Sequence, residues 1–276
     1  MKNNNKINIW THNGSAHADE MLAISFLKAA KPGEYEIIRS DKAPDSFDIA
    51  IDVGGKYDGV SFFDHHQDDP KVNGKCSATL VAETFLPEIF EDRWWADFLK
   101  SLDIIDNRGL FTAPVDRNTW LVASQPVFAL VKLFETEPDA VTDLLAAAVK
   151  SVIENVRLIR ETKKFLEEHT EVETVDGINI LVMLENPPEV LAPLVGIAQK
   201  DLVETHDIDV VYGYDVRSYG SGNRLLFRTE RGTDKLDFSR FAGKENVIFA
   251  HKAGFLLIFR PTSEGDYIDY INGARL

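Results

Sequence analysis

His12 and His17 stand five residues apart in the string THNGSAHADE, which also carries Asp19. Asp52 follows in IDVGG, Asp64-His65-His66 in FFDHHQ, and Asp103 and Asp106 in SLDIIDNRG. Imidazole nitrogen with carboxylate oxygen and no thiolate is a donor set for Mn²⁺, Mg²⁺, Fe²⁺ or Zn²⁺, and an excess of carboxylate favours the harder ions. A carboxylate between two cations can bridge them at the ~3.5–4 Å spacing of two-metal hydrolases, which activate water and clamp a phosphoryl oxygen. Acids gathered without a cation repel each other and lose their charge, so the cluster itself argues for cations. Taken singly, each residue has an ordinary reading. A histidine at a strand end is commonly structural, and an Asp before paired glycines is commonly a turn or cap residue. The metal reading rests on four polar clusters co-occurring within residues 12–106.

The elements that must position these residues follow from patterning. Residues 6–12 alternate and are β-rich before the Asn13-Gly14 turn signal, and 17–30 fit a helix ending at Lys31-Pro32-Gly33. Short strands are expected at 36–40, 47–53 and 61–63, and helices at 78–86 and 94–105. Strands alternating with helices predict a parallel α/β sheet, whose ligand crevice lies beyond the carboxyl ends of its strands. The polar clusters fall at those positions. A long helical stretch, 138–169, precedes a second set of strands at 178–185, 208–216, 224–230 and 246–259, with a helix around 189–204. The organisation expected is therefore a metal-binding domain over 1–140, a connector helix over 141–172 and a second α/β domain over 173–276.

Composition narrows the function classes. The chain has 276 residues, 44% hydrophobic and 27% charged, which excludes a disordered or low-complexity protein. Its net charge of −15 speaks against non-specific binding along duplex DNA, which draws on Lys and Arg. Cys76 is the single cysteine, so neither an internal disulfide nor a Cys-rich zinc site is available. No secretory signal follows Met1, and no apolar run approaches the ~20 residues of a membrane helix. These features predict a soluble, cytoplasmic protein with no membrane partner, and they are compatible with a homodimer.

The ordered set THNG-x-x-H-x-DE, DVGG, DHHQ and IDN resembles the DHH phosphoesterases, and more closely the DHH-like branch of the melanocyte proliferating gene product, once described as a metal-dependent protein hydrolase. The likeness covers about the first 110 residues. It implies a parallel-sheet catalytic domain, a smaller α/β substrate-binding domain and an active site in the cleft between them. It also implies two divalent ions, Mn²⁺ before Mg²⁺. His12, His17 and Asp52 would hold one ion. Asp19, Asp52, His65 and an aspartate of the IDN motif would hold the other, with Asp52 bridging. His17 replaces an Asp of most DHH proteins. Asp106 is preferred to Asp103 as the last ligand, although Arg108 stands where the branch continues to Gly. In the same likeness His66 would contact the scissile phosphate and stabilise developing charge, while Asp64 orients the histidine pair.

Residues 225–255 resemble the substrate-binding domain of oligonucleotide-cleaving DHH enzymes, with Arg228 as the strand arginine and His251, Lys252, Gly254 and Phe255 closing the motif. Its usual glycine run is replaced here by Val247-Ile248-Phe249-Ala250. Residues 212–262 carry nine Lys and Arg against five Asp and Glu, a local basic excess suited to funnelling phosphate. Arg224 and Arg228 suit phosphate recognition, and Tyr212, Tyr214, Tyr219, Phe227 and Phe255 are candidates for base stacking or for core.

The function expected is a phosphodiesterase or exonuclease, 3′→5′ by the resemblance. It would act on short single-stranded RNA or DNA or small nucleotides through a two-metal-activated hydroxide. A phosphomonoesterase or pyrophosphatase needs the same metals without a stacking platform. A nucleotide-binding regulator without turnover would need an incomplete ion pair.

Overall fold

The computed structural model describes residues 6–109, 127, 129–218, 220–263 and 265–276. Two compact units divide the chain, Met1–Val156 and Arg157–Leu276.

The first unit opens with strand β1 (Lys6–Thr11), helix α1 (Ala18–Ala30) and strands β2 (Glu34–Arg39), β3 (Ile49–Ile51) and β4 (Phe62–Phe63). The four strands are parallel throughout, in the order β2-β1-β3-β4. Parallel strands need crossovers, and α1 supplies the first of them. Helices α2 (Ser77–Phe85) and α3 (Arg93–Arg108) follow. Every residue of α1 from Ala18 to Ala29 is buried, and an apolar sequence such as MLAISFL can be accommodated only in that way. Phe26 meets the edge of Trp95 at 5.5 Å, locking α1 to α3. The one cation on this helix, Lys28, is buried but satisfied, with Asp139 at 3.1 Å, Thr142 at 2.8 Å and Asp143 at 2.9 Å. Those three partners lie in the first turns of α4 (Pro138–His169).

The division between the units falls within α4, the helix expected as a connector. The second unit holds a six-stranded sheet of strands β5 (Thr170–Val175), β6 (Ile178–Met183), β7 (Val210–Tyr214), β8 (Arg224–Arg228), β9 (Val247–Ala250) and β10 (Leu256–Phe259). Their order is β5-β6-β7-β8-β10-β9, and only β6 and β7 run parallel.

Strand β5 is absent from the sequence reading. It joins β6 through Asp176-Gly177, both at positive φ (48° and 80°), the backbone a two-residue hairpin requires. The continuous run expected over 246–259 is two antiparallel strands, because the chain reverses between Ala250 and Leu256. The helix expected around 189–204 is broken into α5 (Val195–Ala198) and α6 (Lys200–Thr205), and α7 (Tyr267–Ala274) is additional. Ile180, Val210, Leu226, Phe238, Phe259 and Ile271 make the core of this unit.

Because α1 has no solvent face, truncating it opens a cavity that water cannot relieve. Phe26→Ala should cost on the order of 3–5 kcal/mol in urea unfolding; a loss below ~1 kcal/mol would contradict this packing.

Candidate metal centre

Sheet order brings the sequence clusters together. His12 follows β1, Asp52 follows β3 and Asp64-His65-His66 follow β4, so all emerge at the carboxyl edge of three adjacent parallel strands. His17 is the N-cap of α1, with Asp19 and Glu20 in its first turn, where the helix dipole favours negative charge. Asp106 arrives from the last turn of α3.

Asp52 occupies the centre. Its φ of 57° is left-handed, a conformation few side chains adopt and Asp tolerates. Its N–H still donates to the Phe63 carbonyl at 3.0 Å, so the ladder ends and the chain turns at this residue. One carboxylate oxygen lies 3.2 Å from His65 Nε2 and accepts from Ser77 Oγ at 3.1 Å; the other lies 3.5 Å from His12 Nε2. Asp52 therefore stands between two imidazoles from two different strands.

Three overlapping groups have ligand atoms within 4.8 Å of one another: His12, His17, Glu20 and Asp52; His17, Asp19 and Asp106; Asp52, His65 and His66. His65 Nε2 also lies 3.1 Å from Asp106 and 4.0 Å from Asp19, tying the second group to the third. Asp103 turns away and accepts the Cys76 N–H at 2.8 Å, at the start of α2. Of the two aspartates in DIIDN, Asp106 thus reaches the cluster and Asp103 does not.

Glu20 is the residue that sequence reasoning passed over. It is fully buried, 3.4 Å from His12 Nε2, and both its carboxylate oxygens accept the His17 N–H, at 2.8 and 2.9 Å. The signal was present, since an acid three residues after an N-cap is the capping-box position. Here that cap also faces the cluster.

Asp64 serves His66. It is buried, accepts the Gly55 N–H at 2.6 Å, and holds both the His66 backbone N–H (3.1 Å) and ring Nδ1 (2.7 Å). With Nδ1 taken, Nε2 is the remaining functional nitrogen of a ring whose side chain is 62% exposed.

The electrostatics are those of a site short of positive charge. Hydrogen bonds to Asp52 and then Glu20 push His12 up to about 10. Burial works to lower His65, but Asp106 and Asp52 outweigh it and raise it to about 10. Burial works to raise Asp52, while its bonds to His12 and His65 hold it below the usual carboxylate range. Burial, with the charges of Asp52, Asp106 and Glu20 behind it, drives Asp19 well above that range. Both Asp19 oxygens are buried without a hydrogen-bond partner. An unpartnered carboxylate is costly to bury, and a cation is the partner that fits oxygen and nitrogen donors together. The donor set therefore suits divalent metal.

In the second unit, Arg228 donates to the carbonyls of Leu236 and Ala253, so its guanidinium holds loops together. Gly254 has φ +69°, and a Cβ there would meet Asp237 Oδ1 at 2.1 Å, so the backbone conformation and this contact together favour glycine. His251 packs on Phe255 at 4.1 Å, and Lys252 is exposed. Arg224 lies at the opposite end of β8 from Arg228, stacked on Tyr214. The basic excess of this region is largely spent internally: Arg217 pairs with Asp215, Arg231 with Asp207 and Lys235 with Asp209, while Arg240 donates to the Arg275 carbonyl. Tyr212 is half-buried, packed against the core of the unit and stacked on Tyr267, and Tyr219 falls outside the described residues.

Residues 8–110 match the profile of a family described as "Uncharacterised protein family (UPF0160)", a span that contains every residue of the cluster. The MYG1 protein C694.04c of Schizosaccharomyces pombe is 49% identical over 96 residues, 31% of this chain and 30% of that protein. The MYG1 protein YER156C of Saccharomyces cerevisiae is 34% identical over 137 residues, 40% of each chain. The MYG1 exonuclease of Homo sapiens is 46% identical over 66 residues, 21% of this chain and 17% of that protein. In each match the chain spans less than half the length of the relative. No helix among the described residues is long and apolar enough to cross a membrane.

Protons and metal compete for His12 and His65, which sets a sign. A group whose folded pKa is raised stabilises below its unfolded value and loses that contribution as pH rises through the folded one. Raised His12, His65 and Asp19 all act in this direction, so the metal-free protein should weaken as pH rises from 6 to 8.5. A divalent ion replaces those protons, so the rise in Tm on adding Mn²⁺ to EDTA-treated protein should grow over the same interval; a rise that shrinks with pH would contradict the assignment. Asp106→Asn should weaken Mn²⁺ binding at least about tenfold, the scale seen even for outer residues of metal sites. Asp103→Asn should leave binding intact and lower Tm instead.

Proposed function

We propose that this protein is a metal-dependent phosphodiesterase, a 3′→5′ exonuclease of DHH type acting on short single-stranded RNA or DNA. The observation that carries the reading is the paired environment of Asp52, held between His12 and His65, beside an Asp19 carboxylate buried with both oxygens unpartnered. Relatives named exonuclease are 44–46% identical to this chain over 64–66 residues.

His12, His17, Glu20 and Asp52 would hold one ion; Asp19, Asp52, His65 and Asp106 would hold the other. When bound, Mn²⁺ or Mg²⁺ supplies acidification of water and counter-charge for a phosphoryl group. Ser77 fixes the orientation of Asp52 through its hydroxyl. His66 is built for a different task. Its Nδ1 is anchored on Asp64 while the ring stands in solvent, so its Nε2 is the nitrogen left to face a phosphoryl oxygen arriving from outside, to which the ring donates when it carries both protons. Asp64 keeps that ring in one orientation as negative charge builds on phosphorus. The candidate contacts of the second unit are His251 and Lys252, with Arg228 and Gly254 shaping the loop that carries them.

A 5′-labelled short RNA, with its DNA counterpart, incubated with Mn²⁺, Mg²⁺ or EDTA should give a metal-dependent ladder of progressively shorter labelled products. Intact oligomers beside hydrolysed pyrophosphate would move the reading to a small-molecule phosphatase. Asp52→Asn should abolish turnover. His66→Ala should lower kcat by about 10²–10³, the cost of removing one donor to a developing oxyanion, while leaving Mn²⁺ affinity unchanged.

A further inference from the structure

Arg224 and its neighbours belong neither to the metal centre nor to the loop around His251. The far end of β8 borders a cavity of about 600 Å³, lined among others by Glu173, Tyr212, Arg224, Ser263 and Tyr267. A volume of this size lies in the range of small-molecule sites, which run from ~300 to 1,000 Å³.

Its chemistry is specific. Tyr212 and Tyr267 stack on each other at 4.2 Å with 18° between their planes. Tyr267 donates its hydroxyl to Glu173 at 2.6 Å, which fixes the ring and leaves the second carboxylate oxygen as an acceptor. The Arg224 guanidinium lies flat on Tyr214, 3.5 Å from the ring centroid. Among the described residues it has no carboxylate ion-pair partner, in contrast to Arg217, Arg231 and Lys235 nearby in sequence. The guanidinium also reaches the Tyr212 hydroxyl, and its remaining donors, held flat by the aromatic face, are available for an anion. The cavity thus combines an aromatic pair, one oriented cation and one acceptor.

We propose that this cavity is a binding site for a nucleoside monophosphate, with the base against the Tyr212–Tyr267 pair and the phosphate on Arg224. Glu173 and the Ser263 hydroxyl offer an acceptor and a donor for the base or ribose. The site stands on the second unit alone and requires no metal, so it holds whether or not the metal centre hydrolyses nucleic acid.

The test is calorimetric titration of the EDTA-treated full chain with UMP, AMP and ribose 5-phosphate. The nucleotides should bind, and ribose 5-phosphate should bind at least about fivefold more weakly, the low end of what one stacked base contributes. Arg224→Gln should weaken nucleotide binding at least tenfold. Ser263→Trp, at an exposed position, should do the same by filling the cavity without touching the core, and it decides the matter if the arginine variant fails to fold. Asp52→Asn should bind nucleotide like the wild type. Absence of nucleotide binding at millimolar concentration overturns the site, as does wild-type affinity in Ser263→Trp or equal affinity for ribose 5-phosphate. Loss of binding in Asp52→Asn also overturns it, since the nucleotide would then belong to the metal centre.

Discussion

The first unit is organised around the burial of negative charge. Asp19, Glu20 and Asp52 are all buried, and Asp106 is drawn in beside them. Carboxylates so placed have three ways to be stable: a proton, an imidazolium or a metal ion. Burial and neighbouring charge push Asp19 towards its neutral form, and the carboxylates push His12 and His65 towards their charged forms. The third replaces both at once, because a divalent ion provides the charge that the protons were supplying. A site that is costly without its cation and relieved by it is one in which binding and folding are linked.

That burden explains the rigidity of the scaffold. Helix α1 delivers Asp19 and Glu20 and has no face left for solvent. Asp52 is held in a left-handed conformation that few residues accept, with its N–H still bound to Phe63. Asp64 is committed to Gly55 and His66. Each of these features is a local cost that the packed sheet and helices offset, and each leaves a donor atom in one place rather than several. His66 carries the solvent-facing ring of the His65–His66 pair.

The second unit shows how far a count of charges can mislead. Residues 212–262 are basic in sum, yet Arg217, Arg231 and Lys235 are paired with acids close by and Arg228 is bound to backbone carbonyls. What remains is sorted by β-strand geometry. Five residues of β8 place Arg224 and Arg228 on one face but at opposite ends, so two arginines adjacent on paper serve different surroundings. Gly254 likewise fits a recognition motif, yet the carboxylate of Asp237 against its α-carbon is reason enough for it.

Much of the metal centre was legible in the sequence. Residue type determines ligand chemistry, and alternation of strand and helix determines that residues following parallel strands collect at one edge, so His12, Asp52 and the Asp64-His65-His66 triplet were bound to meet. The helices α1 and α4 were equally plain, being long and periodic. Three things were decided only in three dimensions. Asp106 and Asp103 lie on one helix, three residues apart, and only the direction of α3 against α2 sends one to His65 and the other to Cys76. Glu20 was passed over in the sequence, because its contact with His12 depends on how α1 packs against β1. The mixed order of the second sheet depended on where the chain reverses, at Asp176-Gly177 and between Ala250 and Leu256. Periodicity reports which face of an element is buried, and it carries no information about which element lies across that face; that choice belongs to the tertiary fold.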